Sequence, residues 1–107
     1  MTNRGMNPEL MKQFAQLQAR IAQAQQKLEE TMVEASAGGG AVAVVLSARP
    51  KLNSIAIQPE VVDADDVEML QDLIAAAMNE ALEQIRTIQM QQLAVLAGGL
   101  NLPGLTS

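Results

Sequence analysis

The sequence contains no cysteine and no histidine, and these two absences remove most of the usual reactive chemistry. Without cysteine there is no disulfide framework and no thiolate site. Without histidine the chain lacks the commonest general base and the commonest metal ligand. No pair of the remaining residues makes a credible nucleophile and base. We therefore expect a protein that is not an enzyme, binds no cofactor or metal, and has no small-molecule substrate.

Aromatic residues are almost absent, since Phe14 is the only one in 107 residues. A chain of this length makes one small domain, with little room for a deep core. We expect that domain to span residues 1–107, with residues 1–6 and 99–107 flexible. Leu, Ile, Val, Met and Ala must supply the packing. A thin aliphatic core in so short a chain predicts that a partner chain completes it.

Long hydrophobic runs are also missing, and the apolar stretches are too short to cross a bilayer. The chain shows no pattern of a secretion signal, so we expect a cytoplasmic protein without a membrane partner. The net charge of −5 is unevenly distributed. Residues 1–51 hold six basic and four acidic residues, whereas residues 52–107 hold one basic and eight acidic residues. The overall charge argues against attraction to nucleic acid, yet the asymmetry leaves room for a local basic surface.

The segment from about Pro8 to about Glu30 has the pattern of an amphipathic helix. Asn7 is suited to cap its N-terminus, and Pro8 to occupy the first helical position. Its apolar residues recur at alternating spacings of four and three, the a/d pattern of a coiled-coil seam. They are Leu10, Phe14, Leu17, Ile21, Ala24 and Leu28. Since one helix cannot bury a narrow stripe by itself, we expect this seam to pack against another helix or another chain.

The middle of the chain predicts a small antiparallel sheet of two or three strands. Ala41–Leu46 is apolar and β-branched, as is typical of a buried central strand. The three glycines at 38–40 give the backbone the freedom that a tight turn needs. Leu52–Gln58 alternates between apolar and polar residues and predicts another strand. Thr31–Ser36 is either a first strand or a continuation of the helix.

A second long helix is marked by Asp65 as its N-cap, with Glu68 three residues later. A broad apolar face follows, and the run Ala75–Ala77 allows another element to approach closely. We expect this helix to end near Leu96, because Gly98 and Gly99 come next. The predicted fold class is therefore α+β, with two long helices and a small antiparallel sheet.

Two features that could bind ligands have simpler structural explanations. The acidic residues around the start of the second helix could hold a divalent cation, but they lack the loop spacing of an EF-hand. Helix capping and the helix dipole account for them, so we favour that interpretation. The glycines at 38–40 precede a strand, whereas a phosphate loop needs its glycines immediately before a helix. We predict neither a metal site nor a phosphate loop.

Three basic residues of the first helix, Lys12, Arg20 and Lys27, fall within an arc of about 80°, away from the seam. Such a row could rest on a phosphate backbone while the seam packs inward. Glu9, Glu30 and Glu34 project near the same face and dilute the positive charge. Because mixed charge is normal on an exposed helix, the residues alone favour an ordinary solvated surface.

Five short segments spread along the chain carry a family resemblance. They are Leu10–Gln13, Ala37–Gly40 with Val42 and Val44, Ile57–Glu60, Glu68–Ile74 and Ala76–Ala81. With them the chain, from about Asn7 to Pro103, resembles the YbaB/EbfC family of small bacterial nucleoid-associated proteins. The resemblance implies a tweezer-like homodimer whose strands join into a shared sheet and whose projecting helices bind double-stranded DNA. It also implies low sequence preference, location in the nucleoid, and a role in nucleoid organisation and gene regulation.

The resemblance also implies which residues contact DNA phosphates. They are Lys12, Arg20, Lys27 and Arg86. Weaker candidates are Arg4, Arg49 and Lys51, with Gln13, Gln16 and Gln23 as neutral hydrogen-bonding groups. The alternative function comes from another class of protein. It is an interaction module whose heptad seam docks a partner helix without binding nucleic acid, which suits the net negative charge better.

Overall fold

The structure, a computed structural model, describes residues 7–100 and consists of two long helices and a three-stranded sheet. The elements are α1 (Pro8–Glu30), β1 (Met32–Ala37), β2 (Val42–Ser47), β3 (Lys51–Ile57), a 3-10 turn (Pro59–Val61) and α2 (Val67–Leu100). The predicted α+β class is confirmed, and the sheet has three strands because Thr31–Ser36 leaves the helix and pairs as β1. The flexibility predicted for residues 1–6 and 101–107 lies outside the described residues.

Helix α1 begins and ends where its capping residues predict. The Asn7 side chain accepts a hydrogen bond from the Leu10 N–H at 2.7 Å, which satisfies one free amide of the first turn. At the other end, the Thr31 N–H and hydroxyl both donate to the Lys27 carbonyl, at 2.9 and 2.6 Å. The chain thus turns from helix into β1 with that last-turn carbonyl satisfied.

The sheet has the order β1-β2-β3 with both pairs antiparallel, so β2 is its centre. The β1–β2 turn places Gly38, Gly39 and Gly40 at φ values of 65°, 68° and 96°, which glycine adopts without steric cost. Val44 lies opposite Ala35 on one side and Ile55 on the other. Directly opposed residues of antiparallel strands point to the same face, so these three share one side of the sheet.

The core forms where α2 packs across β1 and β2. On β2, Val42 and Val44 are fully buried. On α2, Ala77 and Ala81 are also fully buried, and Ile85 follows one turn later at 2% exposure. Small alanine side chains let the helix lie close to the sheet, and only Ala77 of the three alanines at 75–77 is buried. The core is therefore one aliphatic layer between a helix and two strands.

Both ends of α2 differ from the sequence prediction. Asp66, not Asp65, caps the helix, because its carboxylate accepts from the Met69 N–H at 3.2 Å. The Asp65 N–H instead donates to the Asp63 side chain at 2.9 Å. The predicted stop before Gly98 and Gly99 is wrong, since α2 continues to Leu100. Glycine weakens a helix by about 1 kcal/mol per residue but does not forbid it, and Gly98 does not adopt the left-handed conformation that would end the helix.

The helices extend well beyond the sheet. The radius of gyration is 21.2 Å, whereas a compact domain of this size has about 13 Å. Helix α1 packs against α2, and three of the predicted seam residues, Leu17, Ala24 and Leu28, are half-buried. The other three seam residues are exposed. They are Leu10, Phe14 and Ile21. One part of the seam thus joins the helices, and the rest faces solvent.

Close packing of α2 on the sheet can be tested at position 77. We expect Ala77→Leu to lower the free energy of unfolding by about 1–3 kcal/mol, because the sheet leaves no room for the added atoms. Ala76→Leu is the matched control, since Ala76 is the exposed neighbour on the same helix. Urea denaturation followed by circular dichroism measures both. Equal stability of the two variants would contradict the packing described.

Candidate functional site

Each of the two helices contains a long stretch without acidic residues. These are residues 10–28 of α1 and residues 84–100 of α2, which we call the arms. The arms contain four basic residues and ten glutamines, while all twelve acidic residues lie elsewhere. A chain with a net charge of −5 therefore carries a local charge of +4 on its arms.

One residue in the β2–β3 turn, Ala48, connects both helices to the sheet. The Ala48 N–H donates to the Leu28 and Thr31 carbonyls, at 3.0 and 2.9 Å, at the end of α1. The Ala48 carbonyl accepts from Gln89 Nε2 of α2 at 3.0 Å. Ala48 is fully buried, so these bonds form where water competes poorly. The position of one arm relative to the other is therefore set at this turn.

Beyond this turn the arms enclose an open cleft. Its lining residues are Arg20, Gln23, Ala24 and Lys27 of α1 with Gln92, Val95 and Leu96 of α2. The lining combines aliphatic side chains with amides and two cations, and it includes no carboxylate. Arg20 and Lys27 are two turns apart, about 10 Å along α1, and point in nearly the same direction. The structure thus brings these two predicted site residues to one surface.

The other two predicted site residues lie apart from this pair. Lys12 is exposed on α1, about 12 Å beyond Arg20, and extends the same row toward the outer end of the helix. Arg86 is exposed on α2, but its direction differs from that of Gln92 in the cleft by about 120°. A flat ligand surface that contacts Arg20 and Lys27 does not reach Arg86 of the same chain.

The weaker basic candidates are not part of the arms. Arg49 lies in the β2–β3 turn, 3.9 Å from the Glu29 carboxylate. Both side chains are about half exposed, so this ion pair contributes little to stability. Lys51 is exposed at the start of β3, and Arg4 lies outside the described residues. Gln13, Gln16 and Gln23 are all exposed on α1.

Half of the acidic residues are concentrated at the opposite end of the molecule. They are Glu60, Asp63, Asp65, Asp66, Glu68 and Asp72. Leu73 lies against Gly38, which places this end of α2 at the β1–β2 turn. Twenty helical residues separate Asp72 from Gln92, about 30 Å, while charges in physiological salt are screened beyond about 8 Å. The acidic end therefore does little to cancel the positive potential of the arms.

Sequence reasoning from single basic residues missed part of this surface. Gln92, Val95 and Leu96 line the cleft, but nothing in their spacing ties them to α1. The signal that could have drawn attention to the surface was the absence of Asp and Glu from long stretches of both predicted helices, although residues 35–59 of the sheet lack them as well. A count of net charge over half of the chain hides that signal, because it averages the arms with the acidic end.

A second surface is apolar and lies beside β3. Leu52 and Ile55 share the face of the buried Leu46 and Val44, to which they are paired, yet they are 44% and 41% exposed. Helix α2 packs on β1 and β2, which leaves this side of β3 open. Leu82, 40% exposed, lies two turns before Gln89 on the line of α2 that reaches the β2–β3 turn. We call Leu52, Ile55 and Leu82 the apolar strip.

Within residues 7–100, neither helix combines the length and the hydropathy that a bilayer span requires. In the same range, the acidic residues form no cluster that could hold a metal ion.

Comparison with known proteins gives a consistent result. The profile of the YbaB/EbfC DNA-binding family matches residues 3–100. A nucleoid-associated protein of Syntrophobacter fumaroxidans is 48% identical over 103 residues, which cover 96% of this chain and 92% of that protein. A nucleoid-associated protein of Acetivibrio thermocellus is 50% identical, with 90% and 86% covered. The crystal structure of an uncharacterized protein from Helicobacter pylori shares the fold, with a TM-score of 0.71 at 21% identity, covering 85% of this chain and 96% of that one.

The connection between the arms can be tested at Gln89. We expect Gln89→Ala to lower the free energy of unfolding by about 1 kcal/mol, because it leaves the buried Ala48 carbonyl without its side-chain donor. Gln91→Ala is the matched control, since Gln91 is exposed two residues away. Thermal and urea unfolding measure both variants. A Gln89→Ala protein as stable as the control would show that the bond does not hold the arms together.

Proposed function

This chain belongs to the YbaB/EbfC DNA-binding family, and from that premise we propose that it binds double-stranded DNA as a homodimer with little sequence preference. The observation that carries the proposal is the concentration of positive charge, without any carboxylate, on the arms. The names of its relatives suggest the setting, so we place the protein in the nucleoid, with a role in nucleoid organisation and gene regulation.

The binding mechanism that we propose is contact between the arms and phosphate groups. Lys12, Arg20 and Lys27 form a row along α1 that can follow a phosphate backbone, and Arg86 contributes from α2. The exposed glutamines of the arms can donate hydrogen bonds to phosphate and sugar oxygens without adding charge. Each basic side chain that neutralises a phosphate releases condensed counterions, which supplies affinity that does not depend on sequence.

Homodimer formation is proposed because of the apolar strip. Leu52 and Ile55 expose aliphatic side chains on the core face of the sheet, and Leu82 of α2 exposes another. β3 is also the last strand of its sheet, with one edge unpaired within the described residues. A second copy that covers this surface would bury the strip and complete the thin core. The dimer would then present eight basic arm residues instead of four.

The alternative of a module that docks a partner helix through its whole heptad seam is weakened by the packing of α1. Leu28 of the seam already packs against the core, and Ala24 lines the cleft with α2. A partner helix would find only the exposed remainder of the seam.

The salt dependence of DNA affinity tests the phosphate contacts. If about six of the eight arm cations in a dimer contact phosphates, a plot of log K against log salt concentration should have a slope near −5. Lys27→Gln removes one contact from each protomer, so we expect the slope to become shallower by about 2. Fluorescence anisotropy with a random-sequence duplex across a salt series provides the measurement.

Lys51→Gln is the charge-matched control for this experiment, because Lys51 is an exposed lysine outside the arms. We expect its slope to stay close to that of the unmodified protein. Equal effects of the two substitutions would mean that net charge, and not the arm surface, governs binding. A slope near zero for the unmodified protein would count against DNA binding by this chain.

The proposed dimer interface can be tested by placing a charge on the apolar strip. We expect Ile55→Glu to convert the dimer to a monomer, because the interface would have to bury an unpaired carboxylate. Val62→Glu is the control, since Val62 is 61% exposed and lies outside the strip. Analytical ultracentrifugation at several concentrations measures the mass. A dimer that tolerates Ile55→Glu but not Val62→Glu would place the interface elsewhere.

A further inference from the structure

The cleft between the arms has an aliphatic wall that phosphate contacts do not use. Its volume is about 410 Å³, within the range of about 300–1,000 Å³ that is usual for binding clefts. Arg20 and Lys27 lie on its α1 side, while Val95, 72% exposed, and Leu96 form the wall on its α2 side. This lining suits a partner that brings carboxylates next to apolar side chains.

The carboxylates of α1 leave the positive charge of the cleft in place. Glu9 lies about 16 Å beyond Arg20 along the helix. Glu29 pairs with the β2–β3 turn, and Glu30 accepts a hydrogen bond from Gln26 at 3.2 Å, on the side of α1 turned away from the cleft. The cleft is therefore positive at contact distance, although α1 as a whole carries charges of both signs.

The acidic end of the same chain has the complementary composition. Six carboxylates lie within residues 60–72, and no basic residue occurs from position 52 to position 85. Asp63 and Asp66 accept backbone hydrogen bonds, so local structure accounts for these two. The other four are exposed and take part in no hydrogen bond or salt bridge within residues 7–100; they are Glu60, Asp65, Glu68 and Asp72. Val67, 51% exposed, places an apolar side chain among them.

These two surfaces cannot meet within one chain. Both belong to α2, which runs from Val67 to Leu100 without a proline. Asp72 and Gln92 are about 30 Å apart along that helix. A continuous helix without a kink-forming residue curves only gently and does not fold back over such a length. An acidic end can therefore reach this cleft only from a second copy of the protein.

We propose that the acidic end of one copy docks in the cleft between the arms of another copy. Arg20 and Lys27 then face carboxylates such as Glu68 and Asp72, which lie about 6 Å apart along one side of α2. The contact joins two different surfaces, so it can repeat from copy to copy along a row of molecules. The inference goes beyond DNA binding but uses the same cleft, so an acidic end and a phosphate backbone exclude each other there.

This association should be weak and should depend strongly on salt. Exposed ion pairs contribute little one by one, so several must act together. The distance over which charges are screened falls from about 30 Å at 0.01 M salt to about 3 Å at 1 M salt. DNA carries one charge per about 1.7 Å of its axis and should displace the acidic end from the cleft.

Sedimentation velocity at high protein concentration, in low and in high salt, measures the association. We expect the mean mass at low salt to be about twice that at high salt, because each copy can bind neighbours through both of its surfaces. Arg20→Gln/Lys27→Gln should abolish the difference. So should Glu60→Gln/Asp65→Asn/Asp72→Asn, although its smaller net charge would favour association if overall repulsion governed it. An unmodified protein with the same mass in both salts would overturn the inference.

Matched controls remove the same charges from other surfaces. Arg49→Gln/Lys51→Gln removes two exposed cations outside the cleft. Glu34→Gln/Glu80→Gln/Glu83→Gln removes three exposed carboxylates outside the acidic end. Both controls should keep the rise in mass at low salt. If either control loses the rise as completely as its counterpart, net charge governs the association and the docking described here is wrong.

Mixing the cleft variant with the acidic-end variant gives a further test. Each variant keeps one of the two surfaces intact, so the mixture should associate at low salt although neither variant does so alone. Such a recovery shows that both variants are folded and that the contact joins different surfaces. A mixture that keeps its high-salt mass at low salt would overturn the inference.

This inference and the proposed function fail in different ways. Low-salt association that both variants abolish would support the docking even if the unmodified protein bound no DNA. DNA binding without any low-salt association would overturn the docking and leave the proposed function intact. A short duplex in excess that binds the protein without dispersing the associated copies would also overturn the docking, because the cleft would not be the shared surface.

Discussion

The placement of the two arms depends on the backbone hydrogen bonds of one buried residue, Ala48. Its N–H binds the end of α1 and its carbonyl binds Gln89 of α2, so the two helices leave the sheet from a common point. The bonds to the end of α1 join backbone groups, and the bond to α2 comes from the side-chain amide of Gln89. Both helices are therefore held at the turn. Packing of the inner half of the seam then keeps the arms together beyond that point. Two helices can form one continuous surface only if their relative position is fixed.

The acidic end and the basic arms remain electrostatically separate because the molecule is elongated. With a radius of gyration of 21.2 Å, the protein can hold its acidic end and its arms several screening lengths apart. A compact molecule of the same composition would average the two and present a negative surface to DNA everywhere. The net charge of −5 therefore governs the electrostatic interaction with DNA at long range and low salt. At contact distance, the local charge of +4 on the arms governs it instead. The shape, set by the helices, makes an acidic protein compatible with a polyanionic partner.

Local signals in the sequence predicted most of the fold. The Asn7–Pro8 cap, the glycines at 38–40 and the apolar run of β2 each act within a few residues, and each prediction was confirmed. The errors came where two local signals compete. Asp65 and Asp66 are both good caps, and the choice depends on which carboxylate meets a free amide. Gly98 and Gly99 resemble a stop signal, but α2 continues through them. The cleft between the arms could not be predicted, because it depends on which residues of two distant segments come side by side.

The thin core and the function that we propose have the same cause, which is that one helix cannot cover a three-stranded sheet. One helix of this width covers two strands, so a three-stranded sheet must leave part of its apolar face open, and here that part is beside β3. If a second copy covers it, the pairing also links two sets of arms that are each weak. Linked sites bind with an effective concentration set by their fixed geometry, so the second set adds most of its free energy without a second cost of association. Four cations per protomer are then enough, and a protein that exists as a monomer would lose much more than half of its affinity. The incomplete core and the modest charge of the arms are thus both accounted for by the dimer that we propose.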